Sequence, residues 1–233
     1  MSRIVKAYET QFGWMLRRAG ARRPDEGVRW IMARAKQRSG RDQIPLGNVL
    51  AESFERLAAQ QRLRRPVPAI PPERFFCDSG LGGLARWLRA AGYETEWLPY
   101  IDDDELIKRV RQSPAVLLTT DSMLMERKLL RDQVITAFWL PPIHSISRQL
   151  ELVFREFHLE LRASRCMHCG GELRQVAKDE MKEKIPPRTY KWIDEYFQCK
   201  RCGQLFWHGT HWKRISGRLT ALQRGSAEGA LLL

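Results

Sequence analysis

An α/β fold with a parallel sheet is what this sequence predicts, preceded by a basic helical extension and followed by a small four-cysteine unit. Three observations carry that reading. Between residues 73 and 160, short apolar runs alternate with amphipathic stretches of helical spacing. Two Cys-x-x-Cys pairs follow, Cys166/Cys169 and Cys199/Cys202. The first 65 residues repeat a helical apolar period on an Arg-rich background.

Residues 1–65 hold 15 Lys+Arg against 6 Asp+Glu, so they carry +9 of the chain's net +13. Ile4, Val5, Tyr8, Phe12, Met15 and Leu16 keep one helical stripe. Val28, Ile31, Met32 and Ala35 keep a second, and Leu46, Val49, Leu50, Phe54 and Leu57 a third. Three amphipathic helices are expected, with breaks at Gly20, Pro24, Gly40 and Pro45. The apolar stripes read as packing surface. The Arg-rich faces read equally well as solvated or as a contact for nucleic acid. Residues 66–72, with four prolines, read as a stiff extended linker.

In the central region Phe75–Cys77, Tyr93–Leu98, Ala115–Thr119 and Val134–Leu140 read as strands. Leu81–Ala91, Asp103–Arg111, Ser122–Leu130 and Ser145–Phe157 read as helices. Such alternation implies a parallel sheet with helices on both faces and right-handed crossovers. Residues 161–215 hold the cysteines in a turn-rich context. The tail, 216–233, is small, polar and basic, then apolar, and is compatible with disorder.

Composition narrows the function. With 233 residues and 43% hydrophobic content, a real core can form. A pI near 10.0 favours polyanionic partners: RNA, DNA or an acidic membrane surface. No apolar run is long enough to span a membrane. The N-terminus lacks the apolar stretch of a secretory signal. Paired cysteines fit metal binding in a reducing compartment better than a disulfide framework, so a cytoplasmic location is expected.

The candidate chemistry lies in two clusters. Asp78 ends the first strand and Asp121 follows the third, so both belong on one edge of the sheet. Asp103 sits at the start of the helix after strand two, which opens on the same edge. Carboxylates brought together repel, and a divalent cation offsets that. Mg²⁺ and Mn²⁺ prefer carboxylate oxygen, and they promote phosphoryl chemistry. Asp102–Asp104 also suit a helix N-cap, as does Asp121. The conjunction of three acidic sites favours the cation. The cysteine pairs suit one closed structural zinc. His168, His208 and His211 lie beside them, but four thiolates already complete a tetrahedron. Cys77 reads as an inert strand residue. Arg86 and Arg89 on the first central helix suit either a solvated face or a phosphate contact. Trp212, Lys213 and Arg214 mix aromatic and basic groups, as surfaces that hold single-stranded nucleic acid do.

Asp78-Ser79-Gly80-Leu81-Gly82-Gly83-Leu84-Ala85-Arg86-Trp87-Leu88-Arg89-Ala90-Ala91-Gly92-Tyr93 closely resembles the opening of the Mut7-C RNase domain, a branch of the PIN-like nucleases. The resemblance continues through Asp103-Asp104-Glu105-Leu106, Leu117-Leu118-Thr119-Thr120-Asp121, Gln149-Leu150, both cysteine pairs and Phe206-Trp207-His208-Gly209-Thr210-His211-Trp212. It spans roughly residues 74–215; residues 1–65 fall outside it. It implies a PIN-like three-layer α/β/α nuclease domain over 73–160 with a zinc ribbon over 161–215. It also implies metal-dependent RNA cleavage, with Asp78, Asp103 and Asp121 as catalytic Mg²⁺ or Mn²⁺ ligands. Cys166, Cys169, Cys199 and Cys202 would hold zinc. Arg86 belongs to the recurring motif. RNA is the expected partner, with the ribosome or an RNA-processing protein as a further candidate. The helix-borne glutamate usual in such nucleases is not evident. Its absence supports a rival reading, a non-catalytic RNA- or ribosome-associated module with a degenerate pocket.

Overall fold

The structure, a computed structural model, describes residues 2–64 and 70–231, with side chains to residue 224. The expected linker, 66–72, therefore lies outside the described residues up to 69. Three helices open the chain: α1 (Arg3–Arg18), α2 (Pro24–Asp42) and α3 (Leu46–Leu63). Ser2 caps α1 by accepting from the amide of Val5. Gly40 does not break α2, contrary to expectation. The helix runs on to Asp42, and the chain turns at Gln43, whose φ is 53°. Arg38 spans the last turn, pairing with Asp42 at 3.4 Å and with Glu52 of α3 at 2.6 Å. Those contacts offset the roughly 1 kcal/mol that a helical glycine costs.

The central strands are β1 (Arg74–Cys77), β2 (Glu94–Trp97), β3 (Val116–Thr119) and β4 (Ala137–Trp139). They form one parallel sheet in the order β2-β1-β3-β4. Helices α4 (Gly82–Ala90), α5 (Asp103–Gln112), α6 (Lys128–Arg131) and α7 (Ile146–Phe157) follow the strands in turn. The expected helix over Ser122–Leu130 is instead a single 3-10 turn, Leu124–Glu126, and the short α6. Arg127 separates them in an extended conformation (φ −59°, ψ 136°) and pairs with Asp104.

Side chains alternate between the two faces of the sheet, as strand geometry requires. Phe75, Cys77, Val116 and Leu118 join a core with α4, α7 and the C-terminal helix. Phe76, Leu117 and Trp139 join a second core with α5 and all three N-terminal helices. Trp139 is the joint: its ring meets Tyr8 edge-on at 5.3 Å and Phe54 at 4.9 Å. The basic segment is thus a packed layer over the sheet. Glu55 of α3 fixes it further by accepting from Arg148 and lying 2.9 Å from Nε2 of His144. Burial opposes that carboxylate's charge, but these two partners outweigh it and hold its pKa at about 2.

The cysteine unit is an antiparallel sheet of β5 (Leu173–Val176), β6 (Tyr196–Cys199) and β7 (Leu205–Trp207). The long spacer between the cysteine pairs holds a 3-10 turn and the short α8 (Pro187–Trp192). The tail is not irregular. Helix α9 (Thr210–Leu231) passes through Gly217 and buries Ile215 and Leu219 in the α4–α7 core.

Candidate active site and metal centre

The strand order reverses beside β1: the chain crosses to β2 on one side and to β3 on the other. Open parallel sheets bind ligands at the carboxyl ends of strands beside such a switch point. Asp78 leaves β1 there, and Asp121 lies two residues beyond the end of β3.

Thr119 ties these two together. Fully buried at the end of β3, its hydroxyl donates to Oδ2 of Asp78 at 2.7 Å. The hydroxyl oxygen of Thr119 in turn accepts from the amide of Asp121 at 2.9 Å. Oδ1 of Asp78 accepts from the amide of Ser79 at 2.5 Å and from its hydroxyl at 3.2 Å. Oδ1 of Asp121 accepts from the amides of Met123 at 2.7 Å and Leu124 at 3.4 Å, which orders the turn after β3. Two tryptophans brace the loops, Trp97 donating to the carbonyl of Ser79 and Trp139 to that of Thr120.

The three consecutive aspartates at α5 divide their work. Asp102 is the N-cap and accepts from the amide of Glu105 at 2.9 Å. Asp104 pairs with Arg127. Asp103 does neither; its proton affinity is raised, by burial first and then by the charges of Asp121 and Asp78. The charges of Asp78 and Asp121 therefore reach Asp103. The three carboxylates are not drawn to ligand spacing: among the described residues, only the four cysteines gather three or more ligand atoms within 4.8 Å.

The thiols are already assembled. Cys166 and Cys202 approach to 3.6 Å, and Cys169 and Cys199 to 3.5 Å. A tetrahedron with Zn–S of about 2.3 Å has edges of about 3.8 Å, so the donor set fits zinc. Sγ of Cys199 also accepts from the amides of Arg201 at 3.4 Å and Cys202 at 3.5 Å. Burial opposes the thiolate there, but these amides outweigh it and bring Cys199 to about 7. Burial holds Cys166 up at about 12. Cys77 lies outside the cluster, fully buried in β1, where burial pushes its thiol far above the ordinary range.

Arg89 corrects an expectation. It is 4% exposed and cannot meet a phosphate. It donates instead to the carbonyls of Thr95 at 2.9 Å, Met167 at 3.2 Å and His168 at 2.7 Å. It thereby ties α4 and β2 to the first cysteine knuckle. Gly170, at φ 77°, allows that approach: a Cβ there would lie 3.3 Å from both Arg89 Nε and the Thr95 carbonyl. Arg86, one helical turn before Ala90, is exposed. Lys213 and Arg214 are exposed on α9, and Trp212 is half-buried against the core. Neither Thr119 as the bridge between two acids nor Arg89 as a tether was singled out from sequence. A polar residue ending an otherwise apolar run was the only local signal for Thr119.

A family model described as Mut7-C RNAse domain matches residues 73–219, more than half of the chain. The chain belongs to the Mut7-C RNase domain family. The match begins one residue before β1 and ends inside α9, so it takes in the parallel sheet, both aspartate loops and the cysteine centre. Helices α1–α3 lie outside it although they complete one core of the sheet. No curated protein and no solved structure matches the chain. Membership in this family indicates a ribonuclease-like function and an RNA substrate. Among the described residues no helix is long and apolar enough to cross a membrane.

Proposed function

We propose that this Mut7-C RNase domain protein is a metal-dependent endoribonuclease with a PIN-like nuclease domain and a structural zinc ribbon. One observation supports it above the others: Thr119 bridges Asp78 and Asp121 at the carboxyl ends of adjoining strands, and burial, then the charges of these two, raises the proton affinity of Asp103. Such mutual repulsion suits a site completed by a hard cation. Bound there, Mg²⁺ or Mn²⁺ would supply Lewis acidity toward the phosphodiester and offset charge on the leaving oxygen.

The residues set the geometry. Thr119 holds one oxygen of Asp78 and the backbone of Asp121, so the two acids cannot drift independently. Asp103 opens α5 and is the aspartate there left for a cation, its neighbours Asp102 and Asp104 being occupied by the helix cap and by Arg127. Arg86, exposed on the helix that follows Asp78, offers a guanidinium to a backbone phosphate. Trp212, Lys213 and Arg214 offer a base and phosphate contact on α9. Cys166, Cys169, Cys199 and Cys202 hold zinc and thereby the ribbon.

A second reading, a non-catalytic RNA- or ribosome-associated module, draws on the spread of the carboxylates, which are not at ligand spacing among the described residues. One assay separates the two. Zinc-loaded protein is incubated with mixed cellular RNA and Mg²⁺ or Mn²⁺, beside Asp78→Asn and Asp121→Asn. The enzyme reading predicts metal-dependent cleavage that falls to the metal-free background in both variants. Cleavage at the wild-type rate in both variants removes these aspartates from the chemistry. RNA binding without cleavage under any metal supports the module.

A further inference from the structure

A cleft of about 810 Å³ opens between the cysteine unit, the segment before it and the start of α9. Its volume falls in the range of about 300–1,000 Å³ usual for ligand clefts. Its walls include Arg162, Arg165, Phe197, Trp207, His208 and Trp212. Three of these rings form a continuous series. Phe197 lies 4.9 Å from His208 at an interplanar angle of 39°, and His208 lies 5.6 Å from Trp212 at 16°. Arg162, exposed, and Arg165, half-buried, bring positive charge to the walls, while Lys213 and Arg214 stand exposed on the next positions of α9 without lining the cleft. Among the described residues none that lines the cleft is acidic; Glu195 comes to 3.4 Å from His208, and Glu94 to 3.8 Å from Arg165.

The cleft is not part of the carboxylate site. The amide of Arg162 donates to the carbonyl of Ala91, just before β2 begins, whereas the aspartates lie beyond the carboxyl ends of the strands. At about 3.3 Å per residue, the four residues of β2 alone separate the two edges by about 13 Å.

We propose that this cleft receives an unpaired base of a single-stranded RNA, held by stacking on the His208–Trp212 pair while Arg162 at the wall meets a flanking phosphate and the exposed Lys213 and Arg214 on α9 attract the strand as it leaves the cleft. Charge and shape both favour that occupant. Basic groups in the walls and beside them suit a polyanion, and the stacked rings suit a π-face of any base. Bases in an RNA duplex are stacked within the helix and cannot enter a cleft, so the strand has to be unpaired. The proposal rests on the reading of the chain as an RNA-acting protein, but its test needs no cleavage.

Labelled oligoadenylates of about 4–16 nucleotides are titrated into zinc-loaded protein without added Mg²⁺ or Mn²⁺, with Trp fluorescence and anisotropy as readouts. Wild type binds the single strand and its Trp fluorescence is quenched. Trp212→Ala weakens binding about tenfold or more, and Trp212→Phe recovers most of it. Lys213→Glu, a surface change that leaves the core intact, weakens binding and reduces its salt dependence. Unchanged affinity in both Trp212→Ala and Lys213→Glu overturns the cleft, whether or not the protein cuts RNA. Binding of a duplex or of free AMP as tightly as the single strand also overturns it. Binding that depends on Trp212 in a protein that never cleaves RNA upholds the cleft and sinks the nuclease reading instead.

Discussion

The protein carries two candidate metal centres prepared to different degrees. In the cysteine unit the four sulfurs already stand at the spacing that a tetrahedral ion needs. At the sheet edge three carboxylates stand within electrostatic reach, yet each is turned to its own loop or left apart. Charge explains the difference. Protonated thiols are neutral and can pack against one another, and backbone amides stabilise the one whose proton affinity is lowered. Carboxylates at neutral pH repel, so their close approach has to wait for a cation. A closed structural centre is therefore visible in the polypeptide alone, whereas an open one shows only as mutual electrostatic strain.

Breaking the closed centre should have the largest effect. Structural zinc contributes about 10–16 kcal/mol of apparent binding energy in small peptides. Cys199→Ser, or removal of zinc by a strong chelator, is expected to unfold β5–β7 while the parallel sheet persists. Zinc content, near-UV circular dichroism and limited proteolysis read this out. Wild-type protection of the ribbon in metal-free protein contradicts a structural role.

A smaller effect is expected at the bridge between the two acids. Thr119→Val keeps the shape of the buried side chain and removes its hydroxyl. A hydrogen bond to a charged group is worth about 1.5–3 kcal/mol, and the amide of Asp121 loses its acceptor as well. Denaturant titration should show a loss of about 2 kcal/mol, together with reduced RNA cleavage. Intact stability and cleavage would show that Asp78 and Asp121 hold their positions without the bridge.

The smallest effect sharpens the contrast. Burial and the charges of Asp121 and Asp78 raise the proton affinity of Asp103. A raised folded-state pKa favours folding at low pH and loses that contribution as pH rises through the folded value. At neutral pH the ionised Asp103 is thus a net cost to the metal-free fold. Asp103→Asn should raise metal-free stability slightly, by less than about 1 kcal/mol because the group is exposed. The gain should vanish below the carboxylate range and should reverse when Mg²⁺ is added. Thermal melts at several pH values, with and without Mg²⁺, test the sign.

The two centres also differ in how far the sequence disclosed them. Paired cysteines announce themselves by local spacing, and the strand-helix alternation follows from period. The strand ends then place Asp78 and Asp121 on one edge. What stayed hidden depends on distant partners. Arg89 sits one position from Leu88 on α4, and only the knuckle carbonyls show that its charge points inward. The helix expected over Ser122–Leu130 breaks at Arg127, whose partner Asp104 lies on another helix. Gly217 and the small residues around it dilute the apolar period of α9, although Ile215 and Leu219 still anchor it. The stripes of α1–α3 read as packing surface, but their partner, the Trp139 face of the sheet, has no local signature.

Manganese binding tests the central contrast most directly. Zinc-loaded protein is titrated with Mn²⁺ and the free ion is followed by electron paramagnetic resonance, for wild type, Asp121→Asn and Asp78→Asn. The account predicts that wild type binds Mn²⁺ without displacing zinc, and that either substitution weakens binding by about tenfold or more, as loss of a charged ligand should. Equal Mn²⁺ affinity in all three proteins, or no binding by wild type with RNA present, would contradict a cation site at the carboxyl edge of the sheet.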